Sequence, residues 1–260
     1  MRKKCRLSYS IRMDCKEPFA GKRITLMGLG LLGRGVGDAA FLAECGAHVL
    51  VTDKKSEAEL AESVAKLKQY SNISFRFGGH DTNDFTDCDM VLKAAGVPLD
   101  SPEIATARAA NIPVVMSTAL FAKYAMEIGV TVVGITGTRG KTTVTRLIFH
   151  SLEKAGKSAY LGGNIRGLST LAMLPKMKKG DIAVLELDSW QLQGFGDLKI
   201  SPHIAVFTNL LHDHLNYYKN EEEYFADKAN IFRNQSKRDT LIVGQSLLQR
   251  VMAARPQAAP

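Results

Sequence analysis

Residues 134–143 read G-I-T-G-T-R-G-K-T-T, and this glycine-rich stretch decides the fold class. It overlaps and follows Thr131–Ile135, an apolar run with the length and composition of a buried strand. Apolar residues then recur at helical spacing from Val144 to Ala155. A glycine loop between a strand and a helix presents backbone N–H groups to an anion, so the stretch predicts a phosphate-binding loop. The loop is a variant of the usual pattern, because its earlier glycine is Gly137 and position 135 is not a glycine.

ATP is the ligand that this loop predicts. Lys141 is placed to neutralise the β- and γ-phosphate oxygens, and the Thr142 hydroxyl to coordinate Mg²⁺. Such a loop needs a carboxylate at the end of a neighbouring strand, and Glu186 closes the apolar run Ile182–Leu185. An incidental G-x-x-G-K-T is the alternative interpretation. The predicted ATP-binding residues are Gly137, Thr138, Arg139, Gly140, Lys141, Thr142 and Thr143.

A second glycine motif, G-L-G-L-L-G at residues 28–33, lies near the start of the chain. It follows the predicted strand Arg23–Met27 and precedes a helical pattern, the context of a Rossmann-like dinucleotide loop. Asp53 ends the next strand, where a carboxylate can bond a ribose hydroxyl. A nicotinamide cofactor and a uridine diphosphate sugar both carry ribose and pyrophosphate, so the motif leaves both open. A purely structural glycine turn is the third interpretation.

Short apolar runs alternate with helix-period stretches along the chain, which predicts an α/β fold with parallel sheets. Candidate helices include Ser56–Gln69 and Pro102–Ala110. We expect an N-terminal Rossmann-like domain followed by a P-loop α/β domain. The predicted boundaries are a basic tail at 1–20, the first domain at 21–117, a linker at 118–130, the second domain at 131–250 and a tail at 251–260.

Composition narrows the class of protein. The chain has 260 residues, 45% hydrophobic and 23% charged, which is ordinary for a globular protein. Half of its net charge of +8 lies in residues 1–20, and no basic stripe is interleaved with aromatic residues, so we expect no nucleic-acid binding. No apolar run of about eighteen residues occurs, nor the apolar segment of a signal peptide, so we expect no membrane span. Four cysteines without a C-x-x-C pair favour free thiols and a cytoplasmic location.

Two histidines flank an aspartate after another predicted strand. The apolar run Ile204–Thr208 leads into Asn209 and then into His212-Asp213-His214. Ligands of parallel α/β sheets bind at the carboxyl ends of the strands, so this cluster is a candidate functional site. His48 and His203 lie at strand entries, and we interpret them as structural.

Four motifs, which follow one another along the chain in the family's order, resemble those of the Mur ligases, the ATP-dependent amide-forming enzymes of peptidoglycan precursor synthesis. Residues 136–143 resemble T-G-T-x-G-K-T-T, and residues 162–165 resemble G-G-N-I. Residues 186–192 resemble E-L-S-S-F-Q-L, and residues 209–214 resemble N-x-x-x-D-H. The resemblance extends from about residue 21 to residue 243. Within the family, the first glycine loop with Asp53 is most similar to the D-glutamate-adding branch.

The resemblance implies an activity. It implies an enzyme that adds D-glutamate to UDP-N-acetylmuramoyl-L-alanine through an acyl phosphate, using ATP and two Mg²⁺ ions and forming ADP. Residues 21–117 would bind the UDP substrate, and residues 131–250 would be an incomplete central ATP-binding domain. The family's C-terminal domain, which supplies most amino-acid contacts, is missing from this sequence, so we expect no turnover by this chain alone. We expect a monomer.

The resemblance also implies roles for single residues. Thr142 and Glu186 would hold the first metal, and His214 would hold the second beside Lys228, which matches the lysine that the family carbamylates. The catalytic residues would be Lys141, Glu186, His214 and Lys228. The substrate-binding residues would be Gly30, Leu31, Leu32, Asp53, Lys54, Gly96, Asn164 and His214. Without the family, Lys228 would be interpreted as a surface charge.

The sequence also departs from the family pattern. Asp188 and Trp190 stand where the family has Ser and Phe, and Ala94-Ala95-Gly96 stands where the D-glutamate branch has S-P-G. Three alternative functions remain. An NAD-dependent oxidoreductase would use the first glycine loop but would leave the second without a role. A folylpolyglutamate synthetase-like ligase would lack the first domain, and a non-catalytic nucleotide-binding fragment would use both loops.

Overall fold

The computed structural model describes residues 16–29, 33–211 and 218–254. These residues form two five-stranded parallel sheets, with strand orders β3-β2-β1-β4-β5 and β10-β9-β6-β8-β7. The α/β class and the two successive parallel-sheet units predicted from the sequence are confirmed. In both sheets the first strand of the unit is central, so the glycine loop that follows it lies at the middle of the sheet's carboxyl edge.

The first sheet comprises β1 (Arg23–Met27), β2 (His48–Asp53), β3 (Ile73–Phe77), β4 (Met90–Lys93) and β5 (Val114–Val115). Its helices are α1 (Lys16–Phe19), α2 (Arg34–Glu44), α3 (Ala61–Leu67) and α4 (Pro102–Ala109). Sequence analysis missed β3, because this edge strand exposes Ser74 and Arg76 and so has no continuous apolar run. The helix predicted from Ser56 begins only at Ala61. Ser56 instead forms a turn, in which its N–H donates to the Glu59 carboxylate at 2.9 Å.

The second sheet comprises β6 (Thr131–Thr136), β7 (Ala159–Gly163), β8 (Ile182–Glu186), β9 (Ile204–Phe207) and β10 (Thr240–Val243). Its helices are α5 (Ser117–Glu127), α6 (Lys141–Lys154), α7 (Ser189–Asp197), α8 (Glu221–Lys228) and α9 (Leu248–Ala253). Strands β6, β8 and β9 each lie within one residue of the predicted runs Thr131–Ile135, Ile182–Leu185 and Ile204–Thr208, because these three strands are mostly buried and therefore almost wholly apolar. No helix in the described ranges is long and apolar enough to cross a membrane.

Helix α5 occupies most of the segment that we predicted to be a linker. It is a packed element rather than an extended connection, because six of its residues are buried. Its Tyr124 ring meets Phe19 of α1 edge to face at 5.6 Å, and its Thr118 hydroxyl accepts a hydrogen bond from Gln191 of α7 at 3.0 Å. The largest apolar cluster of the described residues therefore runs through α5 from the first sheet into the second.

Candidate active site

The second glycine loop connects β6 to α6, as predicted. Gly137 has φ +149°, and a Cβ at this position would lie 2.0 Å from the Thr208 Oγ1 atom. Gly140 immediately precedes α6 with φ +80°, a left-handed conformation that glycine adopts at little cost. The loop thus ends at the N-terminus of α6, where backbone N–H groups and the helix dipole favour a phosphate.

Asn209 holds this loop in place from the end of β9. Its side chain accepts a hydrogen bond from the Arg139 N–H at 2.9 Å and donates to the Arg139 carbonyl at 3.1 Å. Its main-chain carbonyl accepts from the Thr138 N–H at 3.0 Å. The family motif contains Asn209, but its role in fixing the loop was not predicted. The neighbouring His212, Asp213 and His214 lie outside the described residues, so the second-metal role of His214 stays a prediction.

Two lysine ammonium groups converge on the loop. The Lys141 Nζ donates to the carbonyls of Gly137 at 2.9 Å and Thr138 at 3.1 Å. The Lys228 Nζ arrives from the last turn of α8 and donates to the same Gly137 carbonyl at 3.1 Å. Lys228 is only 1% exposed and its Nζ lies 4.7 Å from the centre of the Tyr224 ring, so the interpretation as a surface charge is wrong.

A cavity of about 210 Å³ lies beside the loop. Glu186, at the end of β8, is 6% exposed and lines this cavity together with the Thr142 side chain. A hydroxyl and a carboxylate are the oxygen donors that Mg²⁺ takes from proteins, and Mg²⁺ completes its shell with phosphates and water. The donor set therefore fits one Mg²⁺ ion. No cluster of three or more acidic, His or Cys side chains suited to a metal occurs within residues 16–29, 33–211 and 218–254.

The first glycine loop is fastened by Asp53. The Asp53 carboxylate accepts hydrogen bonds from the Leu29 N–H at 2.9 Å and from the Lys55 N–H at 3.0 Å. Asp53 therefore lies at the predicted loop, and both of these hydrogen bonds join its carboxylate to backbone N–H groups of the protein. Lys54 is exposed. The predicted residues Gly30, Leu31 and Leu32 lie outside the described residues.

A larger cavity of about 430 Å³, the interdomain cavity, is lined by residues from both sheet units. The predicted substrate residues Gly96 and Asn164 both line it. Asn164 also lines the smaller cavity beside Thr142 and Glu186. One side chain therefore borders both the first glycine loop's cavity and the metal-suited cavity of the second loop.

The interdomain cavity also contains three charged residues that sequence analysis did not select: Arg34, Asp38 and Lys93. Burial raises the pKa of the Asp38 carboxyl to about 6, against the opposing effects of two serine hydroxyls and Arg34. Burial also lowers the pKa of the Lys93 ammonium to about 8. Lys93 is the last residue of β4, so its position at the carboxyl edge of a parallel sheet was the available signal.

The departure at Asp188 has a structural explanation. Asp188 is the N-cap of α7, where its carboxylate accepts from the Gln191 N–H at 2.7 Å. The Gln191 side chain accepts in return from the Asp188 N–H at 3.3 Å, which completes a capping box. Serine and aspartate serve equally well as N-caps, so this substitution preserves the local fold.

Removing this cap gives a small and specific loss of stability. We expect Asp188→Ala to lower the free energy of unfolding by about 1 kcal/mol, because the N–H of Gln191 loses its partner. Asp188→Ser, which restores the residue of the family pattern, should retain most of that free energy. Urea denaturation followed by circular dichroism measures both variants, and equal losses in both would contradict the capping role.

Two family models match the chain. The Mur ligase MurD-like N-terminal domain matches residues 22–116, and the Mur ligase middle domain matches residues 135–257. The chain belongs to the Mur ligase family. The two matched regions contain the first and second glycine loops respectively, so the motifs and the sheets agree on the same two units.

Similar proteins support this assignment. UDP-N-acetylmuramoylalanine–D-glutamate ligase of Borreliella burgdorferi strain ZS7 is 36% identical over 222 residues, which cover 85% of this chain and 47% of that protein. The protein of the same name from Roseiflexus sp. strain RS-1 is 36% identical over 239 residues, covering 92% of this chain and 50% of that protein. The chain thus spans about half the length of these curated relatives.

Solved structures agree on the fold. The crystal structure of UDP-N-acetylmuramate:L-alanyl-gamma-D-glutamyl-meso-diaminopimelate ligase from Neisseria meningitides has a TM-score of 0.60 and 18% identity. The match covers 92% of this chain and 76% of that one. At this identity the similarity supports only the arrangement of the Mur ligase fold.

Proposed function

We propose that the protein is an ATP-dependent, ADP-forming ligase that adds D-glutamate to UDP-N-acetylmuramoyl-L-alanine. The 36% identical relatives are named as UDP-N-acetylmuramoylalanine–D-glutamate ligases, and the ATP-dependent, ADP-forming step is inferred from the second glycine loop. The observation that carries the proposal is the position of Asn164 between the two cavities. A substrate carboxylate held from the first glycine loop and a γ-phosphate held from the second would meet beside this residue.

The residues around the second loop suit the first step of that reaction. A carboxylate oxygen of the substrate attacks the γ-phosphorus, and the bond from phosphorus to the bridging oxygen of ADP breaks. Lys141 and the N-terminus of α6 stabilise the negative charge that develops on the phosphate oxygens. Mg²⁺, held by Thr142 and Glu186, would supply further neutralisation of that charge. A second ion at His214 and carbamylated Lys228 is part of the proposal.

The second step releases phosphate. The amine of D-glutamate attacks the acyl carbon, phosphate leaves with the bonding electrons, and the amine nitrogen loses a proton. We further propose a monomer that works in the cytoplasm, where UDP-linked precursors and ATP are both available.

The oxidoreductase alternative is not favoured. The relatives are named as ligases, and an oxidoreductase would leave the whole second loop, with Lys141, Thr142 and Glu186 around it, without a role. The first glycine loop alone does not separate the two functions, because NAD and UDP-sugars share ribose and pyrophosphate.

Ligand binding tests the proposal directly. We expect UDP-N-acetylmuramoyl-L-alanine to raise the melting temperature and NAD to leave it unchanged. Asp53→Ala should weaken binding of the UDP substrate about tenfold, because a charge-assisted hydrogen bond that shapes the loop contributes about 1.5–3 kcal/mol. Mg-ATP affinity should not change in this variant.

Asp100→Ala, which removes an exposed carboxylate from the same domain, is the matched control. Isothermal calorimetry measures each affinity. Protection by NAD together with no response to the UDP substrate would replace the ligase proposal by the oxidoreductase.

A further inference from the structure

Helix α2 contacts the second domain through two polar side chains. The Arg34 guanidinium donates to the Asn164 side-chain oxygen at 3.2 Å, and the Ser169 hydroxyl donates to the Asp38 carboxylate at 2.6 Å. Arg34 and Asp38 are four positions apart and so share one face of the helix. That face meets the segment 164–170, which follows β7.

The two backbones approach closely between these hydrogen bonds. A Cβ added to Gly37 would lie 2.5 Å from the Ser169 Cβ, and one added to Gly33 would lie 3.6 Å from the Gly167 Cα. Only a glycine at position 37 permits this distance without a shift of the chain. The contact between α2 and the segment 164–170 therefore depends on a glycine in α2 as well as on its polar side chains.

The contacted segment is tied to the site on its other side. The Thr170 hydroxyl accepts from the Gly163 N–H at the end of β7, at 2.8 Å. The Ser169 hydroxyl accepts from the Ala172 N–H at 3.1 Å, in the 3₁₀ helix that follows. Ser169 and Thr170 thus link α2 to both ends of the short segment that also contains Asn164.

The electrostatic surroundings of Asp38 make the contact sensitive to charge. Asp38 is 6% exposed, and its partners are the hydroxyls of Ser117 and Ser169 and the charge of Arg34. Lys93 and Asp188 line the same cavity. Burial disfavours the charged carboxylate and raises the pKa of Asp38 to about 6. Ionisation of Asp38 at neutral pH therefore lowers the stability of the folded form.

We propose that Arg34 and Asp38 are positioning residues, which hold Asn164 between the two nucleotide sites and so couple occupancy of one site to occupancy of the other. The inference rests on the proposed function. Because the Asn164 oxygen accepts from Arg34, its amide nitrogen is the group that remains to donate to a carboxylate or phosphate oxygen. A UDP substrate in the larger cavity, which Arg34, Asp38 and Asn164 all line, would thereby orient the donor that an ATP phosphate meets.

Coupling is measured by calorimetry with Mg²⁺ and a non-hydrolysable ATP analogue, with and without saturating UDP-N-acetylmuramoyl-L-alanine. We expect the UDP substrate to change the affinity for the analogue by at least about fivefold in the wild-type protein, the lower end of typical allosteric coupling. Arg34→Met and Ser169→Ala should reduce this factor to near one. Arg34→Lys, which keeps a donor, should retain part of it, and Arg238→Met, at an exposed arginine, should retain all of it.

The pH dependence of stability tests the role of Asp38 separately. The raised pKa means that Asp38 favours the folded form most below pH 4 and loses this contribution as the pH rises through about 6. Asp38→Asn keeps the acceptor without the charge, so its melting temperature should exceed that of the wild type more at pH 8 than at pH 5. Glu57→Gln, at an exposed carboxylate, should show no such difference.

The outcomes separate this inference from the proposed function. Wild-type protein that binds both ligands independently, or variants that keep full coupling, would overturn the inference and leave the ligase proposal standing. Wild-type protein that binds neither ligand would overturn both. An Asp38→Asn effect that is equal at both pH values would remove Asp38 from the proposal.

Discussion

Lys141→Ala should lower the affinity for Mg-ATP about a hundredfold. The ammonium lies over the second glycine loop, 2.9 Å from the Gly137 carbonyl, at the place where phosphates bind in such loops. A hydrogen bond between charged groups contributes about 1.5–3 kcal/mol, and each 1.4 kcal/mol is tenfold in affinity. Calorimetry with a non-hydrolysable analogue measures the loss.

Two comparisons isolate the role of this charge. Lys154→Ala removes an exposed lysine from the other end of the same helix and should leave the affinity unchanged. Binding of the UDP substrate should be equal in the wild type and in Lys141→Ala, because the first glycine loop lies in the other domain. An unchanged affinity for Mg-ATP in Lys141→Ala would refute the assignment of the phosphate loop.

The glycine loops could be predicted because local sequence determines them. Each needs a buried strand, residues that tolerate positive φ and a helix start, and all three features lie within a short window. The same reasoning placed Glu186 at the carboxyl end of β8, since a polar residue that closes an apolar run marks the strand end. Sequence analysis missed strand β3, because this edge strand alternates exposed residues with buried or half-buried ones and so has no continuous apolar run.

The contacts between distant segments could not be predicted from sequence alone. Arg34 and Asn164 are 130 positions apart, and Lys228 is 91 positions from the Gly137 carbonyl that it contacts. No periodicity records such a pair, and a lysine in the last turn of a polar helix gives the pattern of a solvated charge. Family resemblance placed Lys228 near the site. The fold explains this position, because the last turn of α8 places the Lys228 Nζ at the Gly137 carbonyl and 4.7 Å from the centre of the Tyr224 ring.

Gly137→Ala should abolish detectable Mg-ATP binding and also destabilise the fold. Its φ of +149° is a conformation that other residues rarely adopt, which costs about 1–3 kcal/mol. The added Cβ would lie 2.0 Å from the Thr208 Oγ1 and 3.2 Å from the Asn209 main-chain nitrogen, so the loop must move. Overpacking of this kind costs a further amount of about 1–3 kcal/mol. Urea denaturation and calorimetry measure the two effects.

Gly140→Ala is the matched control for backbone conformation. Its φ is +80°, and no atom of the described residues lies within 4 Å of the added Cβ, so the cost among these residues is the left-handed backbone, about 1–2 kcal/mol. This variant should lose less stability than Gly137→Ala, and stability is the property compared, because Gly140 is itself a predicted ATP-binding residue. The difference between the two alanine variants then measures the steric contact with the end of β9 rather than the loss of a glycine as such.

The steric contact also predicts the behaviour of the double variant Gly137→Ala/Thr208→Ala. Thr208→Ala removes the Oγ1 atom that the Gly137→Ala methyl group would meet, although it also removes hydrogen bonds to the Thr136 and Arg139 carbonyls at 3.2 and 2.9 Å. If the collision dominates, the double variant should be more stable than Gly137→Ala alone and recover part of the ATP affinity, despite those lost bonds. If instead the two losses simply add, the loop is shaped by its backbone conformation and by Asn209, and Thr208 is not what requires glycine at position 137.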